Sequence, residues 1–254
     1  MAEIPTLTYA GDQALLVEFG DSIDIKINNK VRNLMVQLEQ SQEDWIMDLV
    51  PSYKSLLVIF NPAFSPRKLI ETYLLELAEN LGQTVASAER LIKIPTLYGT
   101  DFGIDLGFVA KNSKLSIEEV ISLHSEPEYR VYMIGFAPGF PYLGGLNEKL
   151  TTPRLESPRL KIPAGSVGIA ESQTGIYPND SPGGWQLIGR TPLNLFDPNR
   201  ENPSLLIAGD YMKFEPLESL EEYSDIKSDV ESNNYKFEIS TLDSKEDNEP
   251  EHHE

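Results

Sequence analysis

Arg154 and Arg159 lie five residues apart, and each directly follows a proline. Proline restricts the backbone before each arginine, so each guanidinium leaves from a stiff loop. The planar guanidinium group suits a carboxylate or a phosphate. Two further cations, Lys161 and Arg190, lie in the same part of the sequence. Together they predict an anion-binding site; the alternative is a set of ordinary surface ion pairs, which contribute little to stability.

The segment that holds these cations, residues 135–192, is rich in turn-forming residues. It contains ten of the chain's 17 glycines and eight of its 18 prolines. This density excludes a long helix and predicts short strands joined by tight turns. Aromatic residues that either line a cleft or pack in the core are interleaved with the turns: Phe136, Phe140, Tyr142, Tyr177 and Trp185. A rigid scaffold that presents cations and aromatic rings suits a small anionic or polar ligand.

Two other groups of residues each allow two interpretations. The small residues at 163–168 either let backbone N–H groups approach an anion or form a tight hairpin. Asp101 and Asp105 either hold Mg²⁺ through carboxylate oxygens or cap helices and turns. A P-loop is absent from the sequence, because no glycine precedes the Lys-Ser/Thr pair that this motif requires.

His124 is the one histidine that precedes residue 217. Ile117, Val120 and Ile121 share its face of a predicted helix, so the imidazole is either a hydrogen-bonded core group or a base at the mouth of the fold. A Ser-His-Asp hydrolase would need His124 as its base, and the sequence has no G-x-S-x-G motif to supply the serine. The chain has no cysteine, which excludes disulfides, thiolate nucleophiles and Cys-based zinc sites.

The net charge of −19 is concentrated near the C-terminus, because residues 217–254 hold 13 acids and three lysines. An acidic chain repels polyanions, which argues against nucleic-acid and membrane-surface binding. The N-terminus has no basic region followed by an apolar core, and no apolar run approaches the roughly 18 residues of a membrane span. We expect a soluble, cytoplasmic protein. We assign no metal site, either to the terminal pair His252 and His253 or elsewhere.

The first ninety residues alternate strand and helix signals. Four strands are predicted, at residues 4–9, 14–19, 45–50 and 55–60. Apolar residues from Ile27 to Leu38 recur at helical spacing. Ser65 and Pro66 predict the N-cap and the first position of a second helix, which Gly82 would end. Strand pairs covered by two helices predict a ferredoxin-like α+β domain over residues 1–90.

Residues 91–216 predict a mainly-β domain. Two short helices are expected, one at residues 104–110 and one that begins at the capping box of Ser116 and Glu119. Further strands are predicted at residues 90–95, 130–136, 166–170, 186–189, 205–208 and 211–215. Many short strands joined by regular turns predict a closed or nearly closed β-barrel. Residues 217–254 are predicted to be an acidic, partly disordered extension, with an edge strand at 235–239.

The glycine- and proline-rich segment resembles one known family. Its motifs are, in order, GFAPGFPYLGGL, TPRLESPR, PAGSVGIA, QTGIYP, SPGGW and IGRTP. With the earlier YAGDQALLVEFG and IPTLYGTDFGIDL, they resemble the family of 5-oxoprolinase B subunits, also called allophanate hydrolase subunit 1 or the carboxyltransferase domain of subdomains C and D. The resemblance covers residues 1–216. The chain departs from the family pattern at Glu171, where glycine is usual, and at Asp101, where glutamate is frequent.

The resemblance implies a ferredoxin-like domain followed by a cyclophilin-like β-barrel. It also implies membership of an ATP-dependent 5-oxoprolinase, which opens 5-oxo-L-proline to L-glutamate with the help of a homologous C subunit and an A subunit. ATP and Mg²⁺ would act in this assembly, and the chain alone would be inactive. ATP can activate the resonance-stabilised amide by phosphorylating its carbonyl oxygen, and an arginine-rich, water-excluding pocket suits the developing charge.

Under this hypothesis, residue chemistry and position within the motifs suggest the site. The catalytic candidates are Arg154, Arg159, Arg190 and His124. The substrate-binding candidates are Phe136, Pro138, Phe140, Ser166, Gln173, Thr174, Tyr177 and Trp185.

Two alternative functions share the same fold. KipI-like members of the family inhibit the autophosphorylation of a sensor histidine kinase, and the cleft or the barrel surface would then dock on the kinase. Membership of an allophanate hydrolase is a lesser alternative, because nothing in the sequence resembles the nucleophile site of an amidase.

Overall fold

A computed structural model describes residues 5–81 and 89–242. The chain divides into two compact units, Met1–Ser87 and Ala88–Glu254. The predicted helix end at Gly82 and the acidic residues 243–254 lie outside the described residues. Within the described ranges, no helix combines the length and the apolar character that a membrane crossing requires.

The described residues of the first unit form an antiparallel sheet of four strands with two helices. The elements are β1 (Thr6–Tyr9), β2 (Ala14–Glu18), α1 (Ile25–Ser41), β3 (Ile46–Pro51), β4 (Ser55–Phe60) and α2 (Arg67–Glu79). The strand order is β1-β2-β4-β3. Apolar residues at helical spacing on α1 and α2, such as Val31, Leu34 and Leu74, are buried against Val17 and Val58 of the sheet.

The topology of this unit contains a split β-α-β motif. β4 lies between β2 and β3 and runs antiparallel to both. In a ferredoxin-like domain the sheet is completed by a strand that follows the second helix, whereas here β1 takes the edge by pairing with β2. The predicted strands and helices are therefore confirmed, but the ferredoxin-like assignment is not.

The predicted cap of α2 is wrong by one residue. Pro66 has extended backbone angles and precedes the first helical residue, Arg67. Among the described residues, no side chain caps this helix, so Ser65 does not serve as its N-cap.

The second unit is a mixed α/β domain with short strands. Its described strands are β5 (Glu89–Tyr98), β6 (Tyr129–Ile134), β7 (Pro141–Gly144), β8 (Arg159–Ile162), β9 (Ser166–Ala170), β10 (Gln173–Ile176), β11 (Ser181–Gly183), β12 (Gln186–Arg190), β13 (Tyr211–Pro216) and β14 (Ile239–Leu242). Its described α-helices are α3 (Leu106–Ser113), α4 (Ile117–Ser125) and α5 (Leu220–Glu231), and a short 3-10 helix covers Glu148–Leu150. The capping box of α4 forms as predicted, because Ser116 accepts from the Glu119 backbone and Glu119 accepts from the Ser116 backbone.

The main sheet of this unit nearly closes into a barrel. Its order is β10-β9-β12-β5-β13-β6-β7, with β14 paired to β5. The two end strands meet, since a Cβ on Gly175 of β10 would lie 3.3 Å from the carbonyl oxygen of Pro141 in β7. Ile94, Val131 and Ile169 are fully buried in the barrel core. The predicted, nearly closed β-barrel is confirmed, while its description as cyclophilin-like stays a prediction.

A separate ribbon of two strands, β8 and β11, accompanies the barrel. In this ribbon Ser181 lies opposite Ile162, and Gly183 lies opposite Arg159. We refer to it below as the β8-β11 ribbon.

The described part of the C-terminal extension, residues 217–242, contains a helix and a strand. Ser219 caps α5 by accepting from the Glu222 N–H, and Tyr223 and Val230 are buried. β14 pairs antiparallel with β5, so the edge strand exists but begins at Ile239 instead of residue 235. Residues 205–208, predicted as a strand, are described and irregular: Leu205 and Leu206 are buried without belonging to a strand.

Candidate functional site

A cavity of about 320 Å³ lies between the barrel and the β8-β11 ribbon. Six of the predicted site residues line it: Phe136, Phe140, Arg154, Gln173, Tyr177 and Trp185. The other lining residues are Tyr142, Leu155, Pro158, Pro182, Gly183 and Gly184. The structure thus brings together half of the predicted set, with the aromatic residues in the majority.

Phe140 is the centre of the aromatic wall. Its ring centroid lies 5.2 Å from that of Tyr142, 5.6 Å from that of Tyr177 and 5.7 Å from that of Trp185. The contacts with Tyr177 and Trp185 are edge-to-face, the arrangement that aromatic quadrupoles favour. Phe140, Tyr177 and Trp185 are buried, so this wall is packed and preformed.

Phe136 stands at the mouth of the cavity on a strained turn. Its φ is +66°, in the left-handed region that bulky residues avoid. The Ala137 N–H donates to the Gly135 carbonyl at 2.8 Å, which makes a γ-turn of the rare, strained type around Phe136. The side chain is 69% exposed, although its ring contacts Phe140 edge-to-face. Strain combined with an exposed aromatic ring is a feature of ligand-binding sites.

Arg154 is an exposed cation on the rim of the cavity. Within the part of the chain that the structure describes, its guanidinium makes no hydrogen bond or ion pair. It is close enough to Tyr177 for its charge to act on the phenol. This arginine therefore keeps its full capacity to bind an anion.

Tyr177 supplies the cavity with a protonated hydroxyl. Burial raises the pKa of Tyr177 to about 12, although a backbone hydrogen bond from Trp185 and the charges of Arg154 and Arg159 act in the opposite direction. The phenol is thus a hydrogen-bond donor at neutral pH. Gly183 makes room for it, because a Cβ at this position would lie 2.4 Å from the hydroxyl oxygen.

Arg159 is committed to a structural ion pair beside the cavity. Its Nη2 lies 2.8 Å from Oδ1 of Asp105, and its Nη1 donates to the carbonyl oxygen of Trp185 at 3.2 Å. Oδ2 of Asp105 accepts the Leu187 N–H at 2.7 Å. Arg159 therefore holds the wall of the cavity and does not line it, so the structure gives it a positioning contact and no direct route to a ligand.

The carboxylates proposed for Mg²⁺ are not gathered into a site. Both oxygens of Asp105 are engaged by protein donors, and Asp101 is exposed. Over residues 5–81 and 89–242, no group of three or more His, Asp or Glu side chains could hold a metal ion. Asp105 is therefore used as a structural anion.

The small residues at 163–168 form a turn that is filled by the protein's own anion. The Ala164 N–H donates to Oδ1 of Asp180 at 2.9 Å, and Lys161 pairs with the other oxygen at 2.8 Å. Arg190 donates from Nε to the Ala164 carbonyl at 2.7 Å. Ser166 is buried in this turn. Of the two interpretations of this segment, the tight turn is the one observed, and it lies outside the cavity lining.

His124 is a core residue whose hydrogen bonds are all satisfied. Its side chain is 0% exposed; Nδ1 lies 2.7 Å from the Tyr98 hydroxyl, and Nε2 lies 2.8 Å from Oγ1 of Thr174. Thr174 donates to the carbonyl oxygen of Gly168, so it must accept from Nε2–H, and Nδ1 must accept from Tyr98. Burial lowers the pKa of His124 to about 3, which keeps the ring neutral.

This geometry removes His124 and Thr174 from the cavity surface. Both belong to a buried chain of hydrogen bonds behind β10, whose first residue, Gln173, lines the cavity. The structure offers His124 no access to a ligand, so a role as a catalytic base has no geometric support. Pro138 is exposed on the turn that follows Phe136 and does not line the cavity either.

Some lining residues were not selected from the sequence. Leu155, Pro158 and Pro182 contribute apolar surface, and Gly183 and Gly184 contribute space. They lie next to the selected residues in the TPRLESPR and SPGGW motifs, so motif membership is the signal that could have identified them.

The chain was compared with known families, curated proteins and solved structures. The family described as carboxyltransferase domain, subdomain C and D, matches residues 5–206, and the chain belongs to it. Two similar relatives are the B subunit of 5-oxoprolinase from Bacillus subtilis (strain 168), 44% identical over 80% of this chain and 89% of the relative, and that from Escherichia coli O157:H7, 40% identical over 81% and 93%. The resemblance seen in the motifs is confirmed.

Two solved structures share the fold. TTHA0988 is 38% identical with a TM-score of 0.73, and the match covers 82% of this chain and 40% of that protein. Urea carboxylase of Kluyveromyces lactis is 22% identical with a TM-score of 0.78, and the match covers 94% of this chain and 24% of that protein. At this lower identity the likeness concerns the fold alone. The chain spans less than half the length of either of these proteins.

Proposed function

We propose that this chain is the B subunit of an ATP-dependent 5-oxoprolinase, which opens the lactam ring of 5-oxo-L-proline to L-glutamate together with its A and C subunits. The observation that carries this proposal is the identity of 44% to a 5-oxoprolinase B subunit over nearly the whole length of that relative. The family match at residues 5–206 includes every residue that lines the cavity.

The chemistry of the cavity supports a role in an assembly. The described residues that line it include no carboxylate, histidine, serine or threonine, and the Tyr177 phenol is protonated at neutral pH. Such a site can bind and polarise an amide but supplies no base or nucleophile. The chain by itself is then inactive, and ATP and Mg²⁺ act in the assembled enzyme, in the cytoplasm.

The family resemblance extends the proposal to the two units of the fold. The split β-α-β motif of the first unit supports a ferredoxin-like ancestry, and the nearly closed sheet of the second supports a cyclophilin-like barrel. The kinase-inhibitor and allophanate alternatives gain no specific support from the cavity.

The test is glutamate release from 5-oxo-L-proline, ATP and Mg²⁺. The reaction is run with the matching A and C subunits together with this chain, with those two subunits without it, and with this chain alone. We expect release from the complete mixture and none from either partial one. Release by the A and C subunits without this chain, or none from a purified complete assembly, would contradict the proposal.

A further inference from the structure

We propose that the cavity of this chain is the binding site of the lactam acid itself, with the ring against the aromatic wall, the carboxylate on Arg154 and the ring carbonyl at the hydroxyl of Tyr177. The ligand class is a small, planar cyclic amide that carries a carboxylate. Its identity as 5-oxo-L-proline rests on the proposed function, and the inference adds which chain of the assembly holds the substrate and how the substrate is oriented there.

The size and walls of the cavity suit a single small ring. Small-molecule sites enclose roughly 300 to 1,000 Å³, and this cavity of about 320 Å³ is at the lower end of that range. Five aromatic side chains line it: Phe136, Phe140, Tyr142, Tyr177 and Trp185. A flat lactam can stack on or edge against such rings, and the wall needs no rearrangement because its central members are already packed together.

The charge of the cavity selects an anion. Among the described lining residues, Arg154 is the charged one, and its guanidinium has no partner within the described chain. A carboxylate can take both of its parallel N–H groups. Arg159 is neutralised by Asp105 and does not line the cavity. A cationic ligand would meet the positive charge of Arg154 and no carboxylate among the described lining residues.

The remaining polar group fits the other end of the ligand. The Tyr177 phenol keeps its O–H hydrogen at neutral pH, because burial raises its pKa, and this hydrogen can donate to a ligand acceptor. A lactam carbonyl is a strong acceptor. Because Arg154 and Tyr177 line the same cavity, one small molecule can contact both through its two oxygen-bearing ends.

The other anion-binding candidate of the sequence is not available. The backbone turn at residues 163–168 receives the carboxylate of Asp180, which Lys161 also neutralises. The unpaired Arg154 at the rim is thus the better partner for a carboxylate from outside.

The experiment measures the KM for 5-oxo-L-proline and for ATP separately in the assembled enzyme. Arg154→Gln removes the cation without breaking a described contact, and Lys111→Gln removes an exposed cation of α3 outside the cavity as the matched control. We expect Arg154→Gln to raise the KM for 5-oxo-L-proline by about tenfold or more, as the loss of a charged hydrogen bond predicts, with little change in kcat and in the KM for ATP. Lys111→Gln should leave all three unchanged.

A second measurement tests whether the carboxylate of the ligand binds to Arg154. 2-Pyrrolidinone, which lacks the carboxylate, should compete with 5-oxo-L-proline far less well than a lactam acid in the wild type, and Arg154→Gln should remove most of that difference. If the wild-type assembly is active and requires this chain while Arg154→Gln leaves both KM values and the selectivity unchanged, the site is wrong and the proposed function stands.

An inactive assembly would overturn the proposed function, and ligand binding then decides the site. Trp185 is one of two tryptophans in the chain, so a Trp45→Phe background isolates its fluorescence. If 5-oxo-L-proline quenches this fluorescence saturably and Arg154→Gln weakens the quenching, the site is supported. If 5-oxo-L-proline does not quench the fluorescence of the full chain, the proposed site is overturned.

Discussion

Asp105 and Arg159 form an ion pair, 2.8 Å from Oδ1 to Nη2, that ties the β8-β11 ribbon to the barrel. Arg159 also holds the carbonyl of Trp185, and Asp105 also holds the N–H of Leu187. The pair therefore fixes the backbone on both sides of Gln186, where the chain leaves the cavity wall and enters β12. Arg159 acts on the cavity through Trp185.

Replacement of Arg159 by Gln should lower the free energy of unfolding by about 2 kcal/mol, because it leaves a partly buried carboxylate unpaired. It should also shift the emission of Trp185 in a Trp45→Phe background. Urea unfolding and fluorescence measure the two effects. Asp105→Asn should reproduce them, and the double variant should lose less than the sum of the two. A drop in kcat with unchanged stability and emission would instead make Arg159 a direct contact of the substrate.

The protein should be more stable with glycine than with alanine at position 136. At a φ of +66° a residue with a Cβ is strained, so Phe136→Gly should exceed Phe136→Ala in free energy of unfolding by about 1 kcal/mol. Both variants lose the exposed aromatic ring and should bind the lactam acid more weakly. The control is the neighbouring position, where Ala137→Gly should be less stable than the wild type. Equal stability of the two Phe136 variants would show that the turn relaxes.

Glu171 is a second residue other than glycine with a positive φ. Its φ is +51°, and its backbone is held by hydrogen bonds to Thr152 at 2.7 and 3.2 Å, so the turn cannot easily relax. Glu171→Gly should raise the free energy of unfolding by about 1 kcal/mol. Ser172→Gly, at the adjacent exposed position without a positive φ, should lower it slightly. Chemical denaturation of the wild type and the two variants measures these changes. A lower free energy of unfolding in Glu171→Gly would contradict the prediction.

His124 should make the protein sensitive to acid. The pKa of His124 is lowered by burial from 6.5 to about 3, so the unfolded chain binds a proton that the folded chain does not. This contribution to stability is complete above pH 6.5 and is lost as the pH falls towards 3, by at most about 1.4 kcal/mol per pH unit. His124→Asn lacks this titration.

The measurement for His124 is urea unfolding of the wild type and His124→Asn at several pH values between 7.5 and 4. The variant should be less stable at pH 7.5, because the hydrogen bonds to Tyr98 and Thr174 are disturbed. The difference between the two proteins should shrink as the pH falls. A constant difference would mean that His124 is protonated in the folded state as readily as in the unfolded chain.

Much of the fold follows from apolar patterning. β2, β4 and β9 lie within one residue of their predicted bounds, because their apolar and β-branched residues report burial and strand formation together. Apolar residues also predicted a strand at residues 205–208, but Leu205 and Leu206 are buried in an irregular segment. Burial alone does not create a partner strand.

The missed elements have a different cause. β7, β10 and β11 contain glycine or proline, which composition assigns to turns, yet they pair as strands with β6, β9 and β8, respectively. α5 was hidden by its acidic composition, although Tyr223, Ile226 and Val230 have helical spacing. Glycine, proline and acidic composition therefore do not by themselves separate a short strand or a helix from a turn or a loop.

The candidate site, like the fold, was predicted from the sequence only in part. Aromatic type and motif position selected Phe136, Phe140, Tyr177 and Trp185, which line the cavity. Residue type could not separate Arg154, which is unpaired, from Arg159, which Asp105 holds from 54 positions away. His124, Ser166 and Thr174 are polar but buried, and the exposure of a polar side chain depends on the packing of the whole barrel.

The β8-β11 ribbon shares no strand with the barrel sheet, yet the two form opposite sides of one cavity. Tyr142 and Gln173 belong to the end strands of the sheet, whereas Pro182 and Gly183 belong to the ribbon. The two sides of the cavity thus belong to separate sheets, and the ion pair of Asp105 and Arg159 joins them. Occupancy should slow amide hydrogen exchange in β11 far more than in β9 or β12, so the ribbon is the natural reporter of whether the cavity is filled.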